Sequence, residues 1–323
     1  MDNVIQTIKG KTTQEKLVSY WRHYPQRDHN IDYLVEDTLK DYRLFPSDVV
    51  KLSPQGRYCV EDFGCKIRRG STDARSDGSS KCVRCIIDKI SDWDKIKEID
   101  PNDGVYGQQI KYVQKMSKQL PDIPMMMTIF SPVMVARKLS SNKFQDHLDD
   151  SDNYGQYVEA AFKIIENTTI EYAKSCIDAG SNGIFYAIQT ADKQLGFSDS
   201  MMKKLLKLNS RVFQEIKKKS EFTVLHLHGD DVRFKESLDK LAPDAVNWHH
   251  DKGINFQEAK KLFKGGLFGG INPEMMYEGN LNKIIDPCND LHLELPFIFS
   301  PSCVILQGTS DVKIKDLFTD YKK

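Results

Sequence analysis

The sequence has neither a long apolar run nor an excess of charge. Its richest apolar stretch, residues 125–135, is interrupted by Ser131 and Pro132 and is shorter than the roughly 18 apolar residues that a membrane span needs. The first residues lack a basic segment followed by an apolar one, so we expect no signal peptide. Lys plus Arg and Asp plus Glu both number 46, so no net field attracts nucleic acid or an anionic membrane. We expect a cytoplasmic protein that binds neither.

Cysteine is sparse, and its seven copies are spread along 323 residues. An odd number in a long chain fits a reducing compartment, where cysteines are thiols or metal ligands. Cys59, Cys65, Cys82 and Cys85 lie near the N-terminus, and the last two form a CxxC pair. A four-cysteine zinc site is one interpretation, but five residues separate the first pair, which is poor ligand spacing. The other interpretation is a flexible surface loop, because residues 68–80 are rich in Gly, Ser, Asp and Arg.

The sequence also lacks a GxGxxG motif after any apolar run, which removes the dinucleotide-binding fingerprint. From Pro124 onward, short apolar runs alternate with segments of helical periodicity, which predicts βα units and a parallel sheet. The predicted strands are Met125–Phe130, Gly183–Ile188, Phe222–His228, Ala245–Trp248, Leu267–Ile271 and Phe297–Phe299. The predicted helices are Tyr154–Ala179, Ser198–Lys219, Arg233–Leu241, Asn255–Phe263 and Asn280–Leu291.

Polar residues follow many of these strands, and their position favours a barrel over an open doubly wound sheet. They are Ser131, Gln189, His228, His249, Asp251, Asn272 and Cys303. A barrel collects all its strand C-termini around one mouth, whereas an open sheet spreads them along a crevice. We therefore predict an α/β fold with a single (β/α)₈ barrel domain over residues 1–323. The first 120 residues or so would form an N-terminal extension of opening helices, one or two strands and a hairpin around Tyr58–Arg68.

The most informative feature of the sequence is the pair His226 and His228 at the end of the apolar run FTVLHL. Residues two apart in a strand point to the same side, so both imidazoles would face one space. Cys303 also follows a strand, and the three side chains make a ligand set that leaves a fourth position open, as in catalytic zinc sites. The alternative is that the histidines are hydrogen-bonded barrel residues and Cys303 is a small buried hydrophobe.

At these positions the chain resembles the uroporphyrinogen decarboxylase superfamily, which joins the haem-pathway decarboxylase to corrinoid-dependent methyltransferases on a single (β/α)₈ barrel. The matching segments occur in order along most of the chain. They are FPSDVV (45–50), EDFG (61–64), TIFSP (128–132) with RKL (137–139), AGSNGIFY (179–186), HLHG (226–229), NWH (247–249), GGI (269–271) and PSC (301–303).

The resemblance implies different sites for the two branches. The methyltransferase branch has an HxC zinc motif and a second Cys about 75 residues later, which transfers to His226, His228 and Cys303. This chain departs from it at His228, where the branch has Cys, although His is also a good zinc donor. The decarboxylase branch uses no cofactor and grips its carboxylates with an arginine-rich segment that is missing here. Its pyrrole-binding Asp corresponds to Asp48, with one residue inserted.

The leading hypothesis is zinc-dependent methyl transfer from a methylcorrinoid, carried by a partner protein, to a substrate thiol. The first alternative is a cofactor-free decarboxylase of a tetrapyrrole or a related acid, in which Asp48 stabilises a cationic intermediate. The second is a corrinoid- or tetrapyrrole-binding protein without turnover. We expect Asp48, Tyr186 and His249 in catalytic roles and Gln189, Asn247 and Asp251 near the substrate. Tyr186 has barrel packing as an alternative role, and Asp251 has helix capping.

Overall fold

A computed structural model describes residues 2–150 and 153–323. The strands are β1 Leu17–Val18, β2 Val50–Leu52, β3 Lys66–Arg68, β4 Lys81–Arg84, β5 Met125–Phe130, β6 Gly183–Ile188, β7 Phe222–Leu227, β8 Ala245–Trp248, β9 Gly266–Ile271 and β10 Phe297–Pro301. The α-helices of the described residues are α1 Asp2–Ile8, α2 Ile31–Leu44, α3 Tyr58–Glu61, α4 Gly104–Gln119, α5 Pro132–Leu139, α6 Phe144–Asp149, α7 Glu159–Asp178, α8 Asp199–Lys217, α9 Phe234–Leu241, α10 Phe256–Leu262, α11 Pro273–Glu278, α12 Leu281–Ile285, α13 Leu291–Glu294 and α14 Asp311–Tyr321. Among the described residues, no helix is long and apolar enough to cross a membrane.

Eight parallel strands form the main sheet, in the order β1-β10-β9-β8-β7-β6-β5-β2. Helices follow most of the strands and cover the outer face, and the chain has the (β/α)₈ barrel fold that the sequence predicts. The remaining two strands, β3 and β4, pair antiparallel as a separate hairpin. Because all eight barrel strands run in one direction, the residues that follow them meet at one mouth.

The first and last strands of this order, β1 and β2, are joined by hydrogen bonds around Asp48. The Asp48 amide donates to the Val18 carbonyl at 2.8 Å, and the Val18 amide donates to the Asp48 carboxylate at 2.7 Å. The Ser19 hydroxyl donates to the Val49 carbonyl at 2.8 Å. The Asp48 carboxylate also pairs with Lys322 at 3.0 Å. These hydrogen bonds close the barrel between β1 and β2, a junction that we call the seam. Asp48 lies at this seam, at the N-terminal end of β2.

Apolar side chains pack on both faces of the sheet because its strands are buried on each side. The interior cluster includes Trp21, Met126, Phe185, Val224, Phe268 and Ile298, together with Val4, Ile5 and Ile8 of α1. Helix α1 contacts β7, β9 and β10 and covers the N-terminal end of the barrel. Gly266 permits this approach, since a Cβ there would lie 2.8 Å from the Ile8 carbonyl oxygen. The outer cluster fills the space between strands and helices.

Three predicted elements differ from the structure. The predicted helix Tyr154–Ala179 begins with a π-helical turn at Tyr154–Val158, and α7 starts at Glu159. The predicted helix Asn280–Leu291 is divided into α12, a short turn of helix at Asp286–Cys288, and α13, because Pro287 removes a backbone donor and ends the regular helix. The predicted hairpin around Tyr58–Arg68 begins only at Lys66, and Tyr58–Glu61 is helical. The division into one domain with an N-terminal extension stays a prediction, although β1 and β2 of the barrel come from that segment.

We predict that Asp48 contributes to stability rather than to chemistry. Asp48→Ala removes the acceptor for the Val18 amide and should lower the free energy of unfolding by about 1.5–3 kcal/mol, measured by chemical denaturation. Lys322→Ala is the matched control, because this exposed partner should cost less than about 1 kcal/mol. Loss of turnover in Asp48→Ala with unchanged stability would contradict this assignment.

Candidate metal centre and cavity

Three potential metal ligands meet at the mouth of the barrel. His226 is the penultimate residue of β7 and His228 directly follows the strand, and both rings lie on the inner side, 5.8 Å apart between centroids. Cys303 follows β10, and its Sγ lies 3.6 Å from Nδ1 of His228. One donor atom from each of the three residues lies within 4.8 Å of the others. The parallel sheet thus brings together side chains that are distant in the sequence.

Asn247 fixes the orientation and the tautomer of His226. Nδ2 of Asn247 donates to the carbonyls of Phe268 at 3.1 Å and of Pro301 at 3.0 Å. Its Oδ1 therefore faces Nδ1 of His226, at 2.6 Å, and accepts a hydrogen bond from the Nδ1–H group. The lone pair of His226 is then on Nε2, the atom left free to bind a metal. This is the arrangement by which neighbouring groups orient metal-bound histidines.

The protonation of the three groups fits a cation. Burial lowers the pKa of His226 well below its usual range, and the neighbouring His228 and His249 lower it further. Burial lowers the pKa of His228 to about 4, so both imidazoles are neutral and have a lone pair at neutral pH. Burial also raises the pKa of the Cys303 thiol to about 11, so this thiol would lose its proton only to a bound cation. Neutral imidazoles and a thiol form a suitable donor set for zinc.

Cys303 is held in place through its backbone, because Nε1 of Trp21 donates to its carbonyl oxygen. Trp21 itself packs edge-on against Phe185 of β6, with ring centroids 5.6 Å apart. The side chain of Cys303 is therefore anchored at the strand end by an aromatic pair of the barrel interior.

A cavity of about 260 Å³ adjoins the three ligands. This volume is slightly below the range of about 300–1,000 Å³ that is typical of ligand pockets, so the cavity suits a small molecule. Its wall contains three cationic side chains, Lys51, Arg57 and Lys138, together with the rings of Trp21, Phe130 and Phe185. Asp77, Ser79 and Ser80 reach the cavity from the loop between β3 and β4.

Lys51 lies inside the barrel, which is unusual for lysine. It belongs to β2, donates to the Ser53 hydroxyl at 3.1 Å and lies over the ring of Phe185 at 4.7 Å. Burial lowers its pKa to about 7, while the nearby Cys303 raises it. Lys138 behaves similarly, donating to the Gly56 carbonyl at 3.1 Å with its pKa lowered to about 8 by burial. A bound anion would keep both ammonium groups protonated.

Three of the predicted site residues lie at this mouth. Gln189 lines the cavity. His249 lies on the same side as Asn247, its ring centroid 5.4 Å from that of His228, and its Nδ1 lies 3.0 Å from the Asp230 carboxylate. Asn247 contacts His226 and two carbonyls, so its hydrogen-bonding groups are occupied by the protein. We therefore assign Asn247 to positioning of His226 rather than to substrate binding.

Three other predicted residues do not join the cavity. Asp48 lies at the opposite end of the barrel, in the seam. Tyr186 points outward, packs on Phe213 and donates to the Asn209 carbonyl at 3.1 Å, as expected from its alternative role in packing. Asp251 accepts a hydrogen bond from the Asn272 side chain. We propose no catalytic role for Asp48 or Tyr186 and no substrate contact for Asp251.

Three cationic residues of the cavity wall, Lys51, Arg57 and Lys138, were not predicted as site residues from the sequence. Lys51 did carry a signal, because a charge in the apolar run VVKL is unexpected in a buried strand. Arg57 and Lys138 follow Gly56 and Arg137 in ordinary polar contexts, and only the fold shows that their side chains turn towards the cavity.

Comparison with known proteins identifies the family. The family model described as "Uroporphyrinogen decarboxylase (URO-D)" matches residues 13–323. The chain belongs to this family and is an enzyme, a methyltransferase or a decarboxylase of the superfamily.

The chain is similar to several archaeal methyltransferases. It is 19% identical to the methylcobamide:CoM methyltransferase MtbA of Methanosarcina acetivorans over 80% of this chain and 74% of that protein. Identity to the Methanosarcina mazei MtbA is 23%, over 66% of this chain and 61% of the relative. A solved methyltransferase structure from Methanosarcina mazei superimposes with a TM-score of 0.81 at 18% identity, over 99% and 97% of the two chains. At this identity, the structural likeness shows the fold alone.

We predict that Asn247→Ala weakens metal binding without unfolding the barrel. The substitution leaves Nδ1 of His226 without its acceptor, so zinc affinity should fall about 10- to 100-fold, measured by competition with a chromogenic chelator. Tyr186→Phe is the control, because it removes a hydroxyl from the outer face and should leave zinc affinity unchanged. Equal affinities in the wild type and Asn247→Ala would show that the hydrogen bond does not support the metal.

Proposed function

We propose that this enzyme transfers a methyl group from a methylcorrinoid to a small thiol that carries an anionic group, with zinc held by His226, His228 and Cys303. The observation that carries the proposal is the set of three donor atoms within 4.8 Å beside a cavity whose wall contains the buried Lys51 and the half-buried Arg57 and Lys138. A zinc ion at this position would supply an open coordination site where a substrate thiol loses its proton and becomes a nucleophile.

The residues of the chain hold and orient the reactants. Asn247 keeps Nε2 of His226 directed at the metal position, and Trp21 fixes the Cys303 backbone. Lys51 and Lys138 can bind the anionic end of the thiol, and the surrounding rings exclude water, which strengthens these contacts. The thiol sulfur would then point to the mouth of the barrel.

The donor would approach from outside the barrel. A cavity of about 260 Å³ does not enclose a corrinoid, so the proposal has the methylcorrinoid presented at the mouth by a partner protein. The relatives named above as methylcobamide:CoM methyltransferases support both the donor and an acceptor of this type. A reducing location such as the cytoplasm belongs to the proposal, because Cys303 must remain a thiol.

The decarboxylase alternative has less support from the site. A tetrapyrrole with many carboxylates needs a larger cavity and several more fixed cations than Lys51, Arg57 and Lys138 supply. Asp48, which this alternative requires beside the substrate, lies in the seam at the other end of the barrel. A binding protein without turnover is not proposed, because the family is enzymatic.

The proposal predicts a preference for anionic thiols that depends on Lys51. Demethylation of methylcobalamin can be followed by its absorbance with coenzyme M, which carries a sulfonate, or with the uncharged mercaptoethanol as acceptor. Wild type should favour coenzyme M. Lys51→Met keeps the length of the side chain without its charge and should raise KM for coenzyme M by about 10- to 100-fold. KM for mercaptoethanol should change little.

The variant His228→Ala tests whether the metal ligands are needed for methyl transfer, independently of how the acceptor thiol binds. It removes one of the three ligands, so demethylation should fall to the uncatalysed rate with both thiols even at saturating zinc. Tyr186→Phe serves again as a control with unchanged rates. Undiminished demethylation by His228→Ala would exclude the three-ligand site as the centre of the reaction.

A further inference from the structure

A second group of potential metal ligands lies at the base of the β3–β4 hairpin. Cys65 directly precedes β3, Cys82 is in β4 and Cys85 directly follows it. One sulfur from each residue lies within 4.8 Å of the other two. Cys65 is buried, and Cys82 and Cys85 are half-buried. The fourth cysteine of this region, Cys59, lies in α3 and does not belong to the group.

The spacing of the sulfurs suits one metal ion. In a tetrahedral zinc site with Zn–S bonds of about 2.3 Å, neighbouring sulfurs lie about 3.8 Å apart. Sulfurs within 4.8 Å reach this separation by small rotations of their side chains. Neutral thiols are weak hydrogen-bond donors, so their mutual contacts contribute little to holding three cysteines together. Thiolates select soft or borderline metals, of which zinc is the common structural choice.

The two strands of the hairpin make few contacts with each other, and Ile67, Cys82 and Cys85 are its residues that pack partly buried against the core. Its strands are three and four residues long and mostly exposed, and Val83 is 67% exposed. A two-stranded hairpin of this kind is marginally stable in water. Lys66 stands opposite Arg84 in the register, a repulsive pair of like charges. Three thiolates around a zinc ion carry a net charge of −1, and this charge beside Lys66 and Arg84 would offset the repulsion.

We propose that Cys65, Cys82 and Cys85 bind a zinc ion that holds the hairpin and is separate from the ion proposed for the barrel. Water reaches the half-exposed side of the group and occupies the fourth position. The ion ties both ends of the hairpin together, and the segment after Cys85 is in turn fixed to α5, where the Ile87 amide donates to the Leu139 carbonyl at 3.1 Å.

This site has a consequence for the cavity. The loop between β3 and β4 extends to the barrel mouth, where its Asp77, Ser79 and Ser80 line the cavity. The loop is paired there with the segment after β10, since the Gln307 amide donates to the Ser76 carbonyl and the Gly308 amide to that of Ala74. Zinc at the base of the hairpin therefore fixes the stems of a loop that forms part of the cavity wall.

The test is the zinc content of tag-free full-length chains purified without chelator, measured by elemental mass spectrometry. Wild type should contain two zinc ions per chain, Cys82→Ala one and His228→Ala one. Cys288→Ala, which removes a buried cysteine outside both groups, should retain two. The variants Cys82→Ala and His228→Ala therefore report on the two sites separately. A chain without zinc in the barrel would still bind zinc at the hairpin.

A second measurement does not require Cys82→Ala to fold. The zinc remaining in His228→Ala should show three sulfur neighbours and one lighter atom by X-ray absorption. Trypsin should spare Arg69 and Arg75 in the loop of the zinc-loaded wild type and cut there after chelation. The proposal would be overturned by a Cys82→Ala chain with wild-type zinc content, by a zinc shell without three sulfurs, or by a Cys82–Cys85 disulfide in the purified wild type.

Discussion

The closure of eight parallel strands into a barrel determines which side chains of this protein meet at the mouth. It aligns β7 with β8 so that His226 is paired in register with Asn247, and it brings the end of β10 to the same mouth. The period of two along β7 then points His226 and His228 inward together. The site is therefore a property of the sheet register, and the hydrogen bonds of Asp48 at the β1–β2 seam support it from the opposite end.

Burial inside the barrel also determines the protonation of the side chains at the mouth. Desolvation keeps His226 and His228 neutral, so that each has a lone pair for a metal. It also lowers the pKa of Lys51 and of Lys138. Buried cations without a carboxylate partner are costly unless a ligand compensates them. An anionic thiol would supply this compensation while offering its sulfur to the metal. The proposed substrate class thus relieves a cost that the folded chain otherwise carries.

Much of this arrangement could be predicted from the sequence because it depends on local periodicity. The strands from Met125 onward match the apolar runs to within two residues, and the spacing of His226 and His228 defines their common face. Lys138 and Arg57 could not be found this way, because their direction depends on long-range packing. Asp48 was predicted as a site residue because its motif resembles that of the decarboxylase branch. Its position before β2 places it at the N-terminal end of the barrel, away from the mouth. The poor spacing of the N-terminal cysteines in the sequence argued against a metal site. The hairpin nevertheless brings three of the four, Cys65, Cys82 and Cys85, together.

Release of a proton when the thiol binds would test directly whether His226, His228 and Cys303 hold a metal that activates the thiol. Isothermal titration of the zinc-loaded enzyme with coenzyme M, in buffers of different ionisation enthalpy at neutral pH, counts the protons released per thiol bound. A thiol that binds a metal as the thiolate should release about one proton, and His228→Ala should release none. Tight binding of coenzyme M without proton release would show that the thiol stays protonated, and it would contradict activation by the His226, His228 and Cys303 centre.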